Sequence, residues 1–185
     1  MQNLEELVFK AKNKDEYSFE QLILNIENDL YRIAQAKLDN LEDINDAIQE
    51  TLIIAFKSII KLENPQYFKT WIIRILINEC NSIYKKNNKS LSLFKKIKET
   101  KNVIDYDIQD INNVECKIEL EKIFSFLSHE EKICLTLFYN SNFSISEISD
   151  ILKISQNTIK SRITRAKNKI KKYYNGGVEN ETAKK

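Results

Sequence analysis

Glycine and proline are almost missing from this 185-residue chain, which has two of the first and one of the second. A sheet protein of this length needs many turn residues, so their scarcity excludes most β architectures and predicts an all-α chain. Cysteine is nearly as scarce. Cys80, Cys116 and Cys134 are odd in number and far apart, and His129 is the one histidine. That excludes a zinc motif or disulfide framework and leaves buried or idle thiols. The two glycines adjoin each other near the tail, so no glycine-rich loop can cradle a phosphate, and no cysteine pairs with a histidine in a nucleophile motif. No enzyme, catalytic residue, metal or cofactor is therefore expected. Long apolar runs are also lacking; none approaches the ~20 residues that span a bilayer. The start MQNLEELVFK has no basic and apolar signal regions. A cytoplasmic protein with no membrane insertion is expected.

What the chain does have is charge in blocks. The formal net charge is +2, but residues 1–60 carry a balance of −6, residues 61–102 of +7, residues 103–150 of −7 and residues 151–185 of +8. Two basic blocks, each preceded by an acidic one, imply two polyanion contacts.

The first 16 residues read as a short helix with Leu4, Leu7 and Val8, ended at KNKDE. Ser18 with Gln21 forms a capping-box pattern ahead of one helix through Leu38, its stripe built from Phe19, Leu22, Ile23, Ile26, Leu30, Ile33 and Ala34. Asn40 can cap the next helix, whose polar face holds Asp43, Asp46, Gln49, Glu50 and Lys57. Three carboxylates and an amide there suit a basic partner, or a solvated face. Asn64-Pro65 starts a further helix. Phe68, Trp71, Ile72, Ile75 and Leu76 bury its middle, while Tyr67, Arg74, Asn78 and Asn81 form a strip leading to Lys85, Lys86 and Lys89. Aromatics and amides beside lysines suit single-stranded DNA, although core packing alone would account for Phe68 and Trp71.

The periodicity weakens after residue 88, and residues 90–112 read as a flexible linker between two small helical domains, 1–89 and 113–175, with a disordered tail at 176–185. Ile118, Leu120, Ile123, Phe124 and Leu127 have helical spacing, Ser128 with Glu131 and Ser144 with Glu147 make capping boxes, and Asn175-Gly176-Gly177 should stop the last helix. His129 reads as a surface residue. From Ser144 the chain forms a helix-turn-helix. Ile159, Ile163, Ala166, Ile170 and Tyr173 make an apolar back, and Asn157, Lys160, Ser161, Thr164 and Asn168, with Arg165 at the edge, make a polar front suited to a major groove. The turn KIS has no glycine, so Lys153 must take the left-handed conformation or the turn must differ.

Three stretches in order, EDINDAIQETLIIAFKSI, FKTWIIRILINECNSIYKK and the run from Leu127 to Ile170, resemble the bacterial sigma factors of the small, two-domain extracytoplasmic-function type. The resemblance covers roughly residues 10–174 and implies core RNA polymerase and promoter DNA as partners, with an anti-sigma factor as a further candidate. It implies polymerase docking through Asp43, Asp46, Gln49 and Glu50. Melting and holding of the minus-ten element would fall to Trp71, Arg74, Asn78, Asn81, Lys85 and Lys86, with Asn78 at a flipped-out base. The minus-thirty-five element would be read by Gln156, Asn157, Thr158, Lys160, Ser161, Arg162, Thr164 and Arg165. It also implies a path for the acidic linker toward the RNA exit. Ile77 and Leu76 stand where the family often has small or polar residues, and Thr164 replaces a bulkier one. The related clostridial toxin-gene regulators are similar in size. A simple dimeric DNA-binding regulator would explain the second basic block, but would leave the first block, Trp71 and the acidic face without a role.

Overall fold

The computed structural model describes residues 3–93 and 122–182, and their side chains over 3–87 and 122–175. Every regular element among them is helical. The first half contains α1 (Leu4–Lys12), α2 (Glu16–Leu24), α3 (Glu27–Lys37), α4 (Leu41–Ser58) and α5 (Phe68–Leu93), with single 3-10 turns at Ile59–Lys61 and Pro65–Tyr67 between α4 and α5. The second half contains a helical turn at residues 122–125, α6 (His129–Leu135) running into a π turn at Thr136–Asn140, α7 (Ile145–Leu152) and α8 (Gln156–Thr182).

Capping explains most helix starts. Asn40 accepts from the Glu42 amide and Asn64 from the Gln66 amide, with Pro65 following where its missing N–H costs nothing. Ser128–Glu131 and Ser144–Glu147 both close reciprocal capping boxes. The expected cap at Ser18 is not the start of α2. Asp15 is the cap, accepting from the Ser18 amide and hydroxyl, and Ser18 lies buried one turn in. The single helix expected through Leu38 is two helices. Asn25 turns its side-chain amide back onto the Gln21 carbonyl, Ile26 leaves helical geometry at φ −131° and ψ 2°, and α3 starts afresh. At the far end, α8 runs through Gly176 and Gly177 to Thr182 rather than stopping at Asn175. Glycine lowers helix propensity by only about 1 kcal/mol and no proline follows. Likewise α5 continues to Leu93, past the boundary drawn at residue 89; the rest of the expected linker, with Cys116, Ile118 and Leu120, lies outside the described residues.

The buried side chains form one continuous core through both halves. Helix α4 packs along α5, with Ile44, Ala47, Thr51 and Ala55 turned inward; α3 packs on both and also on α6, while α5 meets α7. The expectation of two helical domains stands, but the two lie against each other. That packing also corrects His129, which is half-buried between the halves, its Nε2 3.2 Å from Asp39 of the α3–α4 corner. An exposed reading was natural for a histidine in a first turn; the partner that covers it is remote in sequence. No described helix is long and apolar enough to cross a membrane.

Candidate nucleic-acid and polymerase interfaces

The helix-turn-helix is built by local chemistry. Helix α7 ends at Lys153, in the left-handed region at φ 54° and ψ 43°, so the glycine-free turn is made at a cost of about 1–2 kcal/mol. The Ser149 hydroxyl braces that turn by donating to the Ile154 carbonyl at 2.6 Å. Ser155 then caps α8: its hydroxyl accepts from the Thr158 amide at 3.1 Å and pairs with the Thr158 hydroxyl at 2.8 Å. Ile159, Ile163 and Ala166 are buried against α6 and α7.

The opposite face of α8 is open. Gln156, Asn157, Lys160, Ser161, Thr164, Arg165 and Asn168 are all exposed. Two expected contacts have other partners. Thr158 is half-buried in the N-cap, and Arg162 is half-buried on the side of α8 toward α6, where its charge acts on the Cys134 thiol and on Glu130. Burial pushes the Cys134 thiol up, with the nearby guanidinium opposing it. Arg162 thus lies less open than Arg165, toward the α6 side of the helix. The sequence could not separate it from Arg165, because the two straddle the edge of the same helix face.

Glu131 was not singled out beyond its cap. Its carboxylate is buried, accepts from the Ser128 amide at 2.9 Å and meets Lys169 of α8 at 2.7 Å. Burial alone would push this carboxyl up; the Lys169 and Ser128 bonds and the Lys169 and Arg165 charges bring it below the usual carboxylate range. Lys169 also donates to the Phe126 carbonyl. It is an anchor for α8.

On α5 the chain turns about 100° per residue. Trp71, Arg74, Asn78, Asn81 and Lys85 therefore share one side, about 160° from Lys69 and about 100° from Tyr84, which touch the second half. Lys86 is exposed but lies off the strip. Trp71 is half-buried and leans on buried Phe68 with ring centres 6.0 Å apart, while Asn78 and Lys85 are exposed. Arg74 is half-buried, and its Nε is buried with no hydrogen-bond partner, a donor that costs about 1–3 kcal/mol while unused. Cys80, on the buried side, has its thiol pushed up to about 12 by burial and is inert as a nucleophile.

On α4, Asp46, Gln49 and Glu50 are exposed. Asp43 is half-buried and accepts from Asn87 of α5 at 2.8 Å, so it links the two helices as well as flanking the acidic face. Ile53, one turn beyond Gln49 and Glu50, is 38% exposed. Sequence reading assigned it to the apolar half of α4 and missed it as part of the same surface.

The chain matches two family models, Sigma-70 region 2 over residues 22–90 and Sigma-70 region 4 over residues 118–170. The extracytoplasmic-function (ECF) RNA polymerase sigma factor SigM of Mycobacterium tuberculosis is 24% identical over 167 residues, covering 89% of this chain and 82% of that protein. The Bacillus subtilis ECF sigma factor SigM is 26% identical, covering 83% and 93%. Among solved structures, the sigma factor RpoE in complex with the anti-sigma factor NepR from Bartonella quintana superposes with a TM-score of 0.69 at 25% identity, covering 83% of this chain and 94% of that one. CnrH in complex with the cytosolic domain of CnrY shares the fold, at a TM-score of 0.64 and 18% identity, covering 92% and 96%. Region 2 and region 4 lie in the order and on the helices where the two basic surfaces were found. The chain belongs to the extracytoplasmic-function sigma factors, which bind core RNA polymerase and direct promoter-specific transcription initiation, reading the minus-ten element with the first half and the minus-thirty-five element with the second.

Proposed function

We propose that the faces described above divide this work residue by residue. Asp46, Gln49 and Glu50, flanked by Asp43 and the apolar Ile53, dock on a basic surface of core polymerase. Trp71, Arg74, Asn78, Asn81 and Lys85 hold the melted minus-ten strand, with Lys86 at the margin. Gln156, Asn157, Lys160, Ser161, Thr164 and Arg165 face the minus-thirty-five duplex, with Thr158 and Arg162 holding the helix that presents them. The observation that carries this reading is the strip on α5: an aromatic edge, an amide pair and cations on one side of a rigid helix, with the unpaired Arg74 donor among them. The protein acts without a catalytic centre of its own, in the cell interior where polymerase is. Because RpoE is solved with an anti-sigma factor, a comparable protein is the natural inhibitory partner here.

Transcription from a promoter panel with reconstituted polymerase tests the whole assignment. Initiation dependent on this chain and on core enzyme is expected; specific binding of promoter duplex by a lone dimer would sink it. Within that assay, Asn78→Ala should slow open-complex formation about tenfold, the worth of one hydrogen bond to an extruded base. Polymerase affinity should not change, since Asn78 is exposed and removes no core volume. Equal loss of polymerase binding would contradict the role. Arg165→Ala should weaken minus-thirty-five binding by about 1–3 kcal/mol if its guanidinium reads a base edge, and an unchanged footprint over that element would rule the contact out.

A further inference from the structure

Helix α8 is longer than the stretch assigned to reading DNA. It has 27 residues, about 40 Å at about 1.5 Å each, yet the residues facing the minus-thirty-five element end at Arg165 and the region 4 match ends at residue 170. At about 100° per residue, Asn168 and Lys171 lie within about 30° of the centre of the face formed by Gln156, Asn157, Lys160, Ser161, Thr164 and Arg165. Lys172 lies about 70° from that centre, on the Arg165 edge. All three are exposed. The neighbouring lysines are already held: Lys167 lies 5.1 Å from the centre of the Tyr139 ring, and Lys169 meets Glu131 at 2.7 Å. Among the described residues, Lys171 and Lys172 have neither an ion pair nor a hydrogen bond. We propose that Asn168, Lys171 and Lys172 form a second DNA contact on α8, a sequence-independent grip on the phosphates that flank the minus-thirty-five element.

The stretch from Gln156 to Arg165 rises about 14 Å, close to the ~12 Å width of the major groove. The next two turns on the same face therefore leave the base edges and pass over a sugar–phosphate ridge. Lys171 and Lys172 follow Arg165 by about 9 and 10 Å, and their flexible stems extend that reach. The chemistry of the face changes with its surroundings. Over the groove it carries amides and hydroxyls beside Lys160 and Arg165, groups that pair with base edges in set directions. Beyond it come two ammonium groups, compact point charges that suit a phosphate and do not tell one base from another. Asn168, at the join, can donate its amide to a phosphate oxygen. The extension is also held in line. Ile170 packs on the core, and the Tyr173 ring centre lies 5.6 Å from that of Phe126, so the lysines are carried on a braced helix. Continuity with the reading face favours duplex DNA over an acidic protein as the occupant.

This inference rests on the minus-thirty-five reading of α8. Holoenzyme assembled from core polymerase and the full chain, wild type or Lys171→Gln with Lys172→Gln, is titrated with promoter duplex across a potassium chloride series. Glutamine is as good a helix former as lysine, so circular dichroism should match wild type. Each lost phosphate contact makes the slope of log affinity against log salt shallower by about 0.9. The double variant should therefore lose about 2 in slope and bind roughly tenfold more weakly at about 0.1 M salt. Contacts made by core enzyme are common to both proteins and cancel in the difference. The ranking of promoters altered within the minus-thirty-five element should stay that of wild type. Hydroxyl-radical cleavage should show backbone protection just outside the element that the variant loses. An unchanged slope would overturn the grip. So would a changed ranking, which makes these residues base readers, or weaker assembly with core enzyme, which gives the surface to polymerase. Arg165→Ala separates the two readings. If it weakens binding while the lysine pair changes nothing, the extension alone fails; if the lysine pair acts and Arg165→Ala does not, the base-reading assignment fails and the phosphate grip stands.

Discussion

Replacing Asp46 and Glu50 together by lysine should reduce affinity for core polymerase by about a hundredfold or more, roughly 3–4 kcal/mol, and leave the fold intact. The two carboxylates are four residues apart on α4 and so one above the other on its surface. Both are exposed, and among the described residues neither is held in an ion pair. Lysine is nearly as good a helix former as glutamate and a better one than aspartate, so the double change should cost α4 little. Against a basic partner, however, two attractions become two repulsions, and like charges set face to face cost several kcal/mol. The neutral pair Asp46→Asn with Glu50→Gln should lie between, because it removes attraction without adding repulsion. Added salt should narrow the gap between reversed and neutral variants, as exposed charges are screened over about 10 Å at 0.1 M. A calorimetric titration of core enzyme with each variant measures all of this. Retained affinity in the reversed variant would move polymerase docking off α4, leaving Ile53 as an exposed apolar residue without a partner.

What could be read before any coordinates were the features fixed by nearest neighbours. The apolar back and polar front of α8 follow from steps of three and four, and each of Ile159, Ile163 and Ala166 is buried as the spacing requires. The capping boxes at Ser128 and Ser144 and the cap at Asn64 are local hydrogen bonds, visible in four residues. Lys153 was singled out because a turn without glycine needs a left-handed residue, and that is the conformation it has. The misses share a cause. The break at Asn25, the inward turn of Arg162 and the burial of His129 depend on partners far away in the chain or on a choice between two equally good local bonds. Arg162 and Arg165 have similar sequence surroundings; in the fold they differ in exposure, Arg162 half-buried and Arg165 open. Nothing in periodicity reports that Asp29, Lys69 and Ser141 converge, since 72 residues separate the last two. The polar strip on α5 was legible as a face, but the unpaired Arg74 donor within it was not.

Ile159→Ala is expected to cost about 2–5 kcal/mol of stability, a large part of the 5–15 kcal/mol that holds a domain folded. Its side chain is fully buried between α8 and the helices beneath it, and removing three carbons there leaves a cavity that close packing cannot fill. For a chain of this size the melting temperature should fall by about 5–15 °C. Below that transition the folded fraction should still bind minus-thirty-five duplex with nearly wild-type affinity, since Ile159 faces away from the groove. Asn157→Ala should behave in the opposite way: it is exposed on the polar front, so DNA affinity falls while the melting temperature holds. Together the two variants separate the helix's support from its reading face. The shape of the Ile159→Ala transition carries a second result. The buried side chains of both halves form one continuous core, so the loss should shift a single cooperative transition, and the first half should unfold with the second. Calorimetry that instead resolves two transitions, with only the lower one moved, would show that α3 and α6 touch without sharing a folding unit.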